Sequence, residues 1–417
     1  MRKVSSLESL ITPFQTQDFL ADYWEKNYLH LPRNKSNRFE DLFSLRDVDR
    51  WIRSTRSGMP DSVLTTPPEG AESGAIRYRP QDVAVDNVYE AFANGHSVVL
   101  NYLEDSWPPL FDLVTSLGRT FCANIGVNMY LTPKGSKTFS LHTDDHDVFV
   151  LQVQGEKAWR LHELRNLGVM RLDYKKDLAF TSDWGKSRLE GPLLAELTLR
   201  PGDVLYIPRG MPHCAVAKDS TSLHLTVSIT PLYWMDFLKA AVEQAAVQSP
   251  ELRRSLPAGF LENSAAVEAM RQQFDSVMKA FQVNTSFEGA LGVVTKNRVR
   301  AQGFPQDGHF AQLNDLEGLS LNSVLERREG IFCTVDHYEE KFSNIRFGAR
   351  HVRGPGRLRE AFDFIRDNER FRVDEIPGLD DQSRLVIARR LIREGLLRFA
   401  EQQQTAAPRL ELVAQSA

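Results

Sequence analysis

Two widely separated motifs carry the side chains most able to do chemistry in this chain. The first is His142-Thr143-Asp144, and the second ends at His213 in the segment Pro208-Arg209-Gly210-Met211-Pro212-His213. The first motif has β-strand character, and residues two apart on a strand lie on one face about 7 Å apart. His142 and Asp144 can therefore bind one metal ion, with His213 delivered from a neighbouring strand. Two histidines and one carboxylate leave open coordination positions, which is typical of non-haem Fe(II) oxygenases.

The spacing around His213 makes this metal site more specific than a single His-x-Asp. Gly202, Pro208 and His213 follow a G-x5-P-x4-H pattern, which matches the second metal-binding motif of cupin barrels. A second His-x-acid string at His337-Tyr338-Glu339 has no such partner downstream and is expected to be a decoy. Cys214 follows His213 directly, but adjacent strand residues point in opposite directions, so Cys214 is not expected to be a ligand.

Lys157 lies between the two motifs, in the strand-like segment Lys157-Ala158-Trp159-Arg160-Leu161. Alternation places Lys157 on the face of Trp159 and Leu161. If that face is the barrel interior, a buried ammonium needs an anionic partner, and a carboxylated cosubstrate at the metal would supply one. The pattern alone equally allows Lys157 to extend to solvent. Polar residues on other core-like strands also suggest a ligand cavity, although each has an ordinary structural explanation: Asn128, Tyr130, His224, Thr226 and Ser228.

Composition indicates an ordinary globular protein. The 417 residues include 25% charged and 42% hydrophobic residues, with a net charge of −4, which gives no reason to expect nucleic-acid or membrane binding through bulk charge. Three widely spaced cysteines do not form a disulfide framework. No leader-like apolar segment follows Met1 and no run reaches the length of a membrane span, so we expect a cytoplasmic protein.

Hydrophobic periodicity divides the chain into helical and strand-rich parts. Residues 14–60 and 86–118 have helical patterns, and a polar insertion at 163–190 is a candidate lid over a barrel mouth. Short β-branched or aromatic segments bounded by Gly or Pro dominate from about 121 to 230 and favour a closed or double-sheet β architecture. These segments are 127–132, 147–153, 157–161, 195–199, 203–207 and 222–229.

The part after the strands is expected to be helical and then mixed. Residues 232–285 carry an apolar stripe from Val267 to Phe281 at helical spacing. A helix over 380–394 should end at Gly395, be followed by a strand at 397–399, and lead into a frayed tail at 402–417.

Five strings resemble the JmjC-type, cupin-fold oxygenases that depend on Fe(II) and 2-oxoglutarate, specifically the ribosomal oxygenase group. The strings are FLADYWEKNYLHLP (19–32), VNMYLT (127–132), HTDDHDVFVLQVQGEKAWRL (142–161), LRPGDVLYIPRGMPHCA (199–215) and SLHLTVSI (222–229). The resemblance implies a mainly β core, a double-stranded β-helix, within residues 1–231. It further implies a helical dimerisation domain at 232–300 and a winged-helix-like domain at 301–417.

The same resemblance implies roles for individual residues. His142, Asp144 and His213 would bind Fe(II), and Lys157 would bind the far carboxylate of 2-oxoglutarate, with Asn128, Tyr130 and Ser228 as further pocket positions. O2 would be the second cosubstrate. Residues of the family that contact the substrate match no string here, so the substrate is not transferred.

These observations favour an oxygenase that hydroxylates a protein side chain, with an arginine or histidine of a ribosomal protein as the leading candidate. We expect a homodimer and no DNA binding by the C-terminal domain, since acidic residues dilute its arginines. A hydroxylase of a biosynthetic peptide or free amino acid would use the same site. So would a demethylase, whereas a Zn-dependent hydrolase or a non-enzymatic cupin binding module would form no succinate.

Overall fold

The computed structural model describes residues 4–33, 37–54, 62–67, 76–78, 85–163, 191–302, 308–338 and 341–400. The chain divides into two compact units, Met1–Leu232 and Tyr233–Ala417. The candidate lid at 163–190 lies outside the described residues except for residue 163, and the tail at 402–417 lies outside them entirely. No described helix is long and apolar enough to cross a membrane.

The first unit is built on two antiparallel sheets that face each other. The larger sheet has the order β1-β9-β6-β11-β5-β4-β2-β3, and the smaller has the order β10-β7-β8. This arrangement confirms the predicted double-stranded β-helix. The strands are β1 (Leu29–Leu31), β2 (Val63–Thr66), β3 (Ile76–Tyr78), β4 (Ser97–Leu100), β5 (Asn124–Thr132), β6 (Asp147–Gln154), β7 (Lys157–His162), β8 (Leu193–Leu199), β9 (Val204–Ile207), β10 (His213–Ala217) and β11 (Ser222–Thr230).

Strand alternation gives the larger sheet two different faces. One face, which we call the outer face, carries the apolar residues Val127, Met129, Leu225 and Val227 and packs in one core with the N-terminal helices. The opposite, inner face carries Val148, Val150, Leu205 and Ile207, which pack against Trp159 and Leu161 of the smaller sheet. Because side chains two apart share a face, the polar residues at even positions 128, 130, 132, 222, 224, 226 and 228 all lie on the inner face.

Helices cover the outer face, and they fall within or near the two regions, 14–60 and 86–118, where the sequence has helical patterns. The two helical predictions are nevertheless too broad, because strand β1 interrupts the first and strand β4 the second. Both strands have only three or four residues, and so short a run carries too few residues to show a period of two. The helices are α1 (Leu7–Ile11), α2 (Thr16–Asp22), α3 (Leu45–Ser54), α4 (Val85–Ala93), α5 (Leu103–Ser106) and α6 (Phe111–Phe121).

Two turns that contain glycine carry the chain from one sheet to the other. Gly155 lies between β6 and β7, and Gly202 lies between β8 and β9, and in both cases the two strands belong to different sheets. Gly155 has a φ of +68°, and a Cβ there would lie 2.1 Å from the carbonyl oxygen of Thr221. Only glycine fits this corner, which directs Lys157 into the space between the sheets.

The second unit begins with helices and ends with two small sheets. The helix from Asp381 to Glu394 has Asp380 as its N-cap and Gly395, in the left-handed conformation, at its end, as predicted. Its helices are α7 (Trp234–Gln248), α8 (Ser264–Asn284), α9 (Phe287–Ala301), α10 (His309–Asn314), α11 (Arg359–Asp367) and α12 (Asp381–Glu394). Its strands are β12 (Val324–Arg327), β13 (Cys333–Tyr338), β14 (Phe342–Phe347), β15 (Arg350–Pro355), β16 (Arg370–Arg372) and β17 (Leu397–Phe399), in the orders β16-β12-β17 and β13-β14-β15.

Candidate metal centre

The prediction that His142 and Asp144 share a strand is wrong. Both lie in the segment between β5 and β6, where His142 forms one isolated antiparallel bridge with His213 and Asp144 has no strand partner. The bridge consists of His142 N–H to the His213 carbonyl at 3.1 Å and the reverse bond at 2.9 Å. Consecutive acidic residues after the motif disfavour strand continuation. The pairing of the two histidines, rather than strand alternation, sets the geometry.

A tight turn before β10 presents His213 and also holds Asp144. Met211 N–H donates to the Pro208 carbonyl at 3.2 Å, and Gly210, at φ +78°, has the positive φ that the third residue of a type II turn requires. Gly210 N–H is then free to donate to the Asp144 carbonyl at 2.8 Å. One turn therefore positions ligands from both motifs.

His142, Asp144 and His213 bring three ligand atoms within 4.8 Å of one another. Nε2 of His142 is 3.9 Å from one carboxylate oxygen of Asp144, and Nε2 of His213 is 3.5 Å from the other. Nδ1 of His142 lies 2.8 Å from the Ser140 carbonyl, and Nδ1 of His213 lies 2.9 Å from the Met211 carbonyl. Because a carbonyl can only accept, each Nδ1 must carry the proton, which leaves both Nε2 lone pairs free for a metal.

This donor set fits a divalent transition metal such as Fe(II). Burial lowers the pKa of His213 despite the nearby Asp144 carboxylate, which keeps the ring neutral as a metal ligand must be. Within the described part of the chain, this is the one such cluster of three. Cys214 pairs with Arg160 on the opposite side of β10 and is not part of it, as expected.

The histidine of the decoy string, His337, makes hydrogen bonds within the second unit. His337 lies in the second unit with Nδ1 at 3.0 Å from the Ser343 hydroxyl and Nε2 at 2.9 Å from an Asp363 carboxylate oxygen. The contacts around His337 therefore serve the packing of β13, β14 and α11.

The side chain of Lys157 lies in the barrel interior. Its side chain is 2% exposed, and its Nζ donates to the Thr132 hydroxyl at 3.1 Å, which in turn lies 3.1 Å from the Thr138 hydroxyl. Burial alone lowers the pKa of Lys157 to about 7, with no carboxylate contributing to the shift. Because a buried ammonium without an acidic partner is costly and an anion would stabilise it, Lys157 is a candidate anion-binding residue. Thr132 and Thr138 were missed because Thr132 ends β5 and Thr138 lies in the segment after it, where neither is part of a regular pattern.

Two further buried nitrogen atoms beside Lys157 have no hydrogen-bond partner among the described residues. They are Nδ1 of His224 and Nε1 of Trp159, whose rings meet edge to face at 5.7 Å. Burial, followed by the charge of Lys157, lowers the pKa of His224 well below its ordinary value. The other face of His224 stacks on Tyr130 at 4.9 Å. Unpaired buried polar atoms are costly and rare, so they support a polar ligand in this space.

The remaining predicted pocket residues lie along the inner face but not at one place. Tyr130 pairs with His224, Asn128 pairs with Thr226, and Ser228 pairs with Gly126. Thr132, the partner of Lys157, instead pairs with Ser222, and six residues of strand separate Ser222 from Ser228, or about 20 Å. Ser228 Oγ also donates to the Gly126 carbonyl at 3.2 Å. The inner face therefore has a Lys157 end and a Ser228 end.

Comparison with known proteins gives a family match over the same region. Residues 105–237 match the sequence profile of a family described as the JmjC domain. A Dictyostelium discoideum protein named bifunctional lysine-specific demethylase and histidyl-hydroxylase NO66 is 32% identical over 262 residues, which cover 61% of this chain and 49% of that protein. Ribosomal oxygenase 1 of Rattus norvegicus is 31% identical over 285 residues, covering 64% of this chain and 44% of the relative. The chain thus spans about half the length of the curated relatives it matches.

Solved structures share the fold over almost the whole chain. The ribosomal oxygenase YcfD from Escherichia coli aligns with a TM-score of 0.55 and 17% identity, covering 93% of this chain and 99% of the other. Another structure of the same protein, in complex with cobalt and 2-oxoglutarate, aligns with a TM-score of 0.54 over the same shares. At this identity the likeness establishes a common fold. It agrees with the mainly β core predicted from the strand pattern.

Proposed function

We propose that this chain, whose residues 105–237 match the JmjC domain family, is an Fe(II)- and 2-oxoglutarate-dependent oxygenase that hydroxylates a protein side chain. The observation that carries the proposal is the pairing of two features in one barrel. Three metal-ligand atoms lie within 4.8 Å of one another, and a buried lysine without an acidic partner shares the same interior. A cosubstrate that binds a metal at one end and presents a carboxylate at the other would satisfy both.

Each of the candidate site residues has a distinct role in this proposal. His142, Asp144 and His213 would hold Fe(II), which when bound with 2-oxoglutarate and O2 supplies the oxidising chemistry for attack on an unactivated C–H bond. Lys157 would donate to the far carboxylate of 2-oxoglutarate, a charge-assisted bond worth about 1.5–3 kcal/mol. Thr132 holds the ammonium in place through its hydroxyl. No protein side chain needs to act as a general base.

The two ends of the inner face suggest two binding regions. Lys157, Thr132 and His224 cluster at one end, where the cosubstrate carboxylate would lie. Tyr130 is next along β5, and burial, followed by the charge of the nearby metal-ligand candidate Asp144, raises its pKa. We assign Asn128 and Ser228, which the sequence had grouped with the cosubstrate pocket, to the substrate side, because the register separates Ser228 from Lys157 by more than the length of 2-oxoglutarate.

The proposed substrate is a ribosomal protein, with histidine first among the residues to test and arginine second. Relatives in Dictyostelium discoideum and Rattus norvegicus are named as a histidyl-hydroxylase and as a ribosomal oxygenase. The first of these names also includes lysine demethylation, which begins with hydroxylation of a methyl group. Demethylation is therefore an outcome to be tested with methylated peptides.

The test is mass spectrometry of ribosomal proteins from cells with and without this gene. We expect one added oxygen on one histidine or arginine, present with the parent protein and absent when Asp144→Ala replaces it. If all ribosomal proteins keep their mass while purified protein still converts 2-oxoglutarate to succinate, the substrate is a biosynthetic peptide or a free amino acid. If no succinate forms with any candidate, a zinc hydrolase or a binding module takes the place of the oxygenase.

We further propose that two copies associate through α8. This helix has 21 residues, of which Ala266 alone is buried, while Phe274 is 61% exposed and Val267 42% exposed. Exposed apolar faces of this extent mark interaction sites. A second copy of the chain is the occupant we favour, because α8 presents the apolar stripe that the sequence had singled out at 267–281.

A further inference from the structure

We propose that Arg209, held by Glu25 and Asp147, is a positioning residue that sets the distance between the two metal-binding motifs. The inference rests on the proposed function, since it concerns the same metal site. It also gives a role to the N-terminal string at 19–32, which the reaction itself does not use.

Asp147 and Arg209 lie next to the two motifs. Asp147 starts β6 three residues after Asp144, and Arg209 belongs to the turn that delivers His213. The side chain of Asp147 is fully buried, and one of its oxygens is 3.4 Å from Nη1 of Arg209. The buried ion pair therefore ties the end of the first motif to the start of the second.

Tyr206 and Glu25 fix this pair from the other side. The Tyr206 hydroxyl donates to Asp147 at 2.6 Å and accepts the Glu25 backbone N–H at 2.9 Å. The Glu25 carboxylate makes an ion pair with the same nitrogen of Arg209. Glu25 has a φ of +57°, an unusual conformation for a non-glycine residue, and it lies three residues after the last residue of α2.

Aromatic packing makes the N-terminal segment a firm support for this network. Phe19 meets Tyr206 edge to face at 4.9 Å, and Trp24 stacks on Tyr206 at 6.0 Å. Trp24 also stacks on Phe121 at 4.4 Å, at the end of α6. Tyr206, and through it Asp147, is thus held by rings from two helical segments of the outer layer.

The network acts on the metal ligands through backbone bonds. Arg209 precedes Gly210, whose N–H donates to the Asp144 carbonyl, and Met211, whose carbonyl orients the His213 ring. A shift of the Arg209 turn would therefore move one ligand and rotate another. Partners of this kind typically change metal affinity 10- to 100-fold when they are removed.

The test is equilibrium titration of the purified full chain with Co(II), followed by the visible absorption of the bound ion. We expect Arg209→Met to raise the Co(II) Kd at least tenfold and to change the absorption spectrum. Arg209→Lys keeps the positive charge but not the guanidinium contact with both Glu25 and Asp147. Its Co(II) Kd should lie between that of the parent and that of Arg209→Met. Glu25→Gln removes only the carboxylate charge of Glu25 and should raise the Co(II) Kd by a smaller factor of about three.

The matched control is Arg38→Met. Arg38 is another partly buried arginine of the same unit, and it donates to the carbonyl oxygens of Ser9 and Gly202, away from the metal ligands. Its loss should lower the melting temperature and leave the Co(II) Kd and spectrum unchanged. A purely structural role for Arg209 predicts that same pattern for Arg209→Met, and this result would overturn the proposal.

The remaining outcomes are also decisive. If Arg209→Met does not fold, the proposal depends on Arg209→Lys and Glu25→Gln, and it is wrong if both bind Co(II) like the parent. A parent protein that binds Co(II) but forms no succinate defeats the proposed function and leaves the positioning role standing. A parent protein without Co(II) affinity overturns both.

Discussion

The buried Lys157 predicts that binding of 2-oxoglutarate takes up a proton. In the free protein, burial lowers the pKa of Lys157 from the ordinary value of 10.5 to about 7, so that much of the population is neutral above pH 7. In the proposed function, the far carboxylate of 2-oxoglutarate would bind the ammonium form of Lys157. Affinity must therefore decline as pH rises above 7, even though 2-oxoglutarate itself does not titrate there.

The size of the effect follows from linkage. If only the protonated form binds, the Kd scales with one plus the ratio of neutral to charged lysine, and with a pKa of about 7 this gives about a fivefold rise from pH 7 to pH 8 and about fiftyfold to pH 9. The stability of the free protein changes with pH in the opposite direction to the affinity for 2-oxoglutarate. The unfolded chain binds more protons between pH 7 and the ordinary pKa, so the free energy of unfolding should increase as pH rises through that window.

The assay is isothermal titration of the Co(II)-loaded protein with 2-oxoglutarate at pH 7, 8 and 9, in buffers of different ionisation enthalpy. Buffers of different enthalpy report the number of protons taken up. The control is Lys157→Met, which should bind 10- to 100-fold more weakly at pH 7 and show no dependence on pH. The Co(II) Kd of this variant should stay close to that of the parent.

Two results would refute this reasoning. A Kd for 2-oxoglutarate that stays constant from pH 7 to pH 9, with no proton uptake, would mean that Lys157 is charged in the free protein. Equal losses of Co(II) and 2-oxoglutarate affinity in Lys157→Met would mean that the lysine supports the barrel rather than the cosubstrate.

Four further outcomes are expected. His142→Ala should abolish Co(II) binding and succinate formation with unchanged circular dichroism, whereas His337→Ala should leave both intact; binding in His142→Ala would move the site elsewhere. Phe274→Glu should convert the dimer to a monomer in light scattering, and a parent protein that is monomeric at micromolar concentration would contradict the proposed interface. In fluorescence anisotropy, the full chain should show no more salt-dependent DNA affinity than a chain that lacks the C-terminal domain. Gly155→Ala should lower the melting temperature far more than Gly135→Ala, because both have positive φ but only Gly155 would place a Cβ against backbone; equal losses would contradict this.

The β core and the metal ligands were accessible from sequence because each leaves a regular pattern. Strands β5, β6, β7 and β11 alternate or run apolar between Gly and Pro, and the structure extends each by one to three residues. The metal ligands were identified from spacing around His213, and the trio did come together. The supporting argument for them was nevertheless wrong, since Asp144 lies off any strand.

What could not be predicted depends on contacts between distant residues. Alternation left Lys157 undecided between solvent and interior, and only the corner at Gly155 and the opposing sheet settle that it is buried. The position of Ser228 depends on register, which is fixed by pairing with β5 and not by the strand's own residues. The ion pair of Glu25 with Arg209 joins residues 184 apart, and no local pattern reports such a contact.

The strand register also explains how one barrel could bind two ligands without mixing their sites. Along the inner face, each pair of residues advances the position by about 7 Å. A hydroxyl and ammonium group at Thr132 and Lys157, an aromatic pair at Tyr130 and His224, and an amide further along at Asn128 therefore occupy successive levels. The metal ligands approach Tyr130 from the segment before β6, between the two ends. In the proposed function, an anion at the first level and a substrate side chain at the last would occupy separate levels of the inner face, with His142, Asp144 and His213 between them.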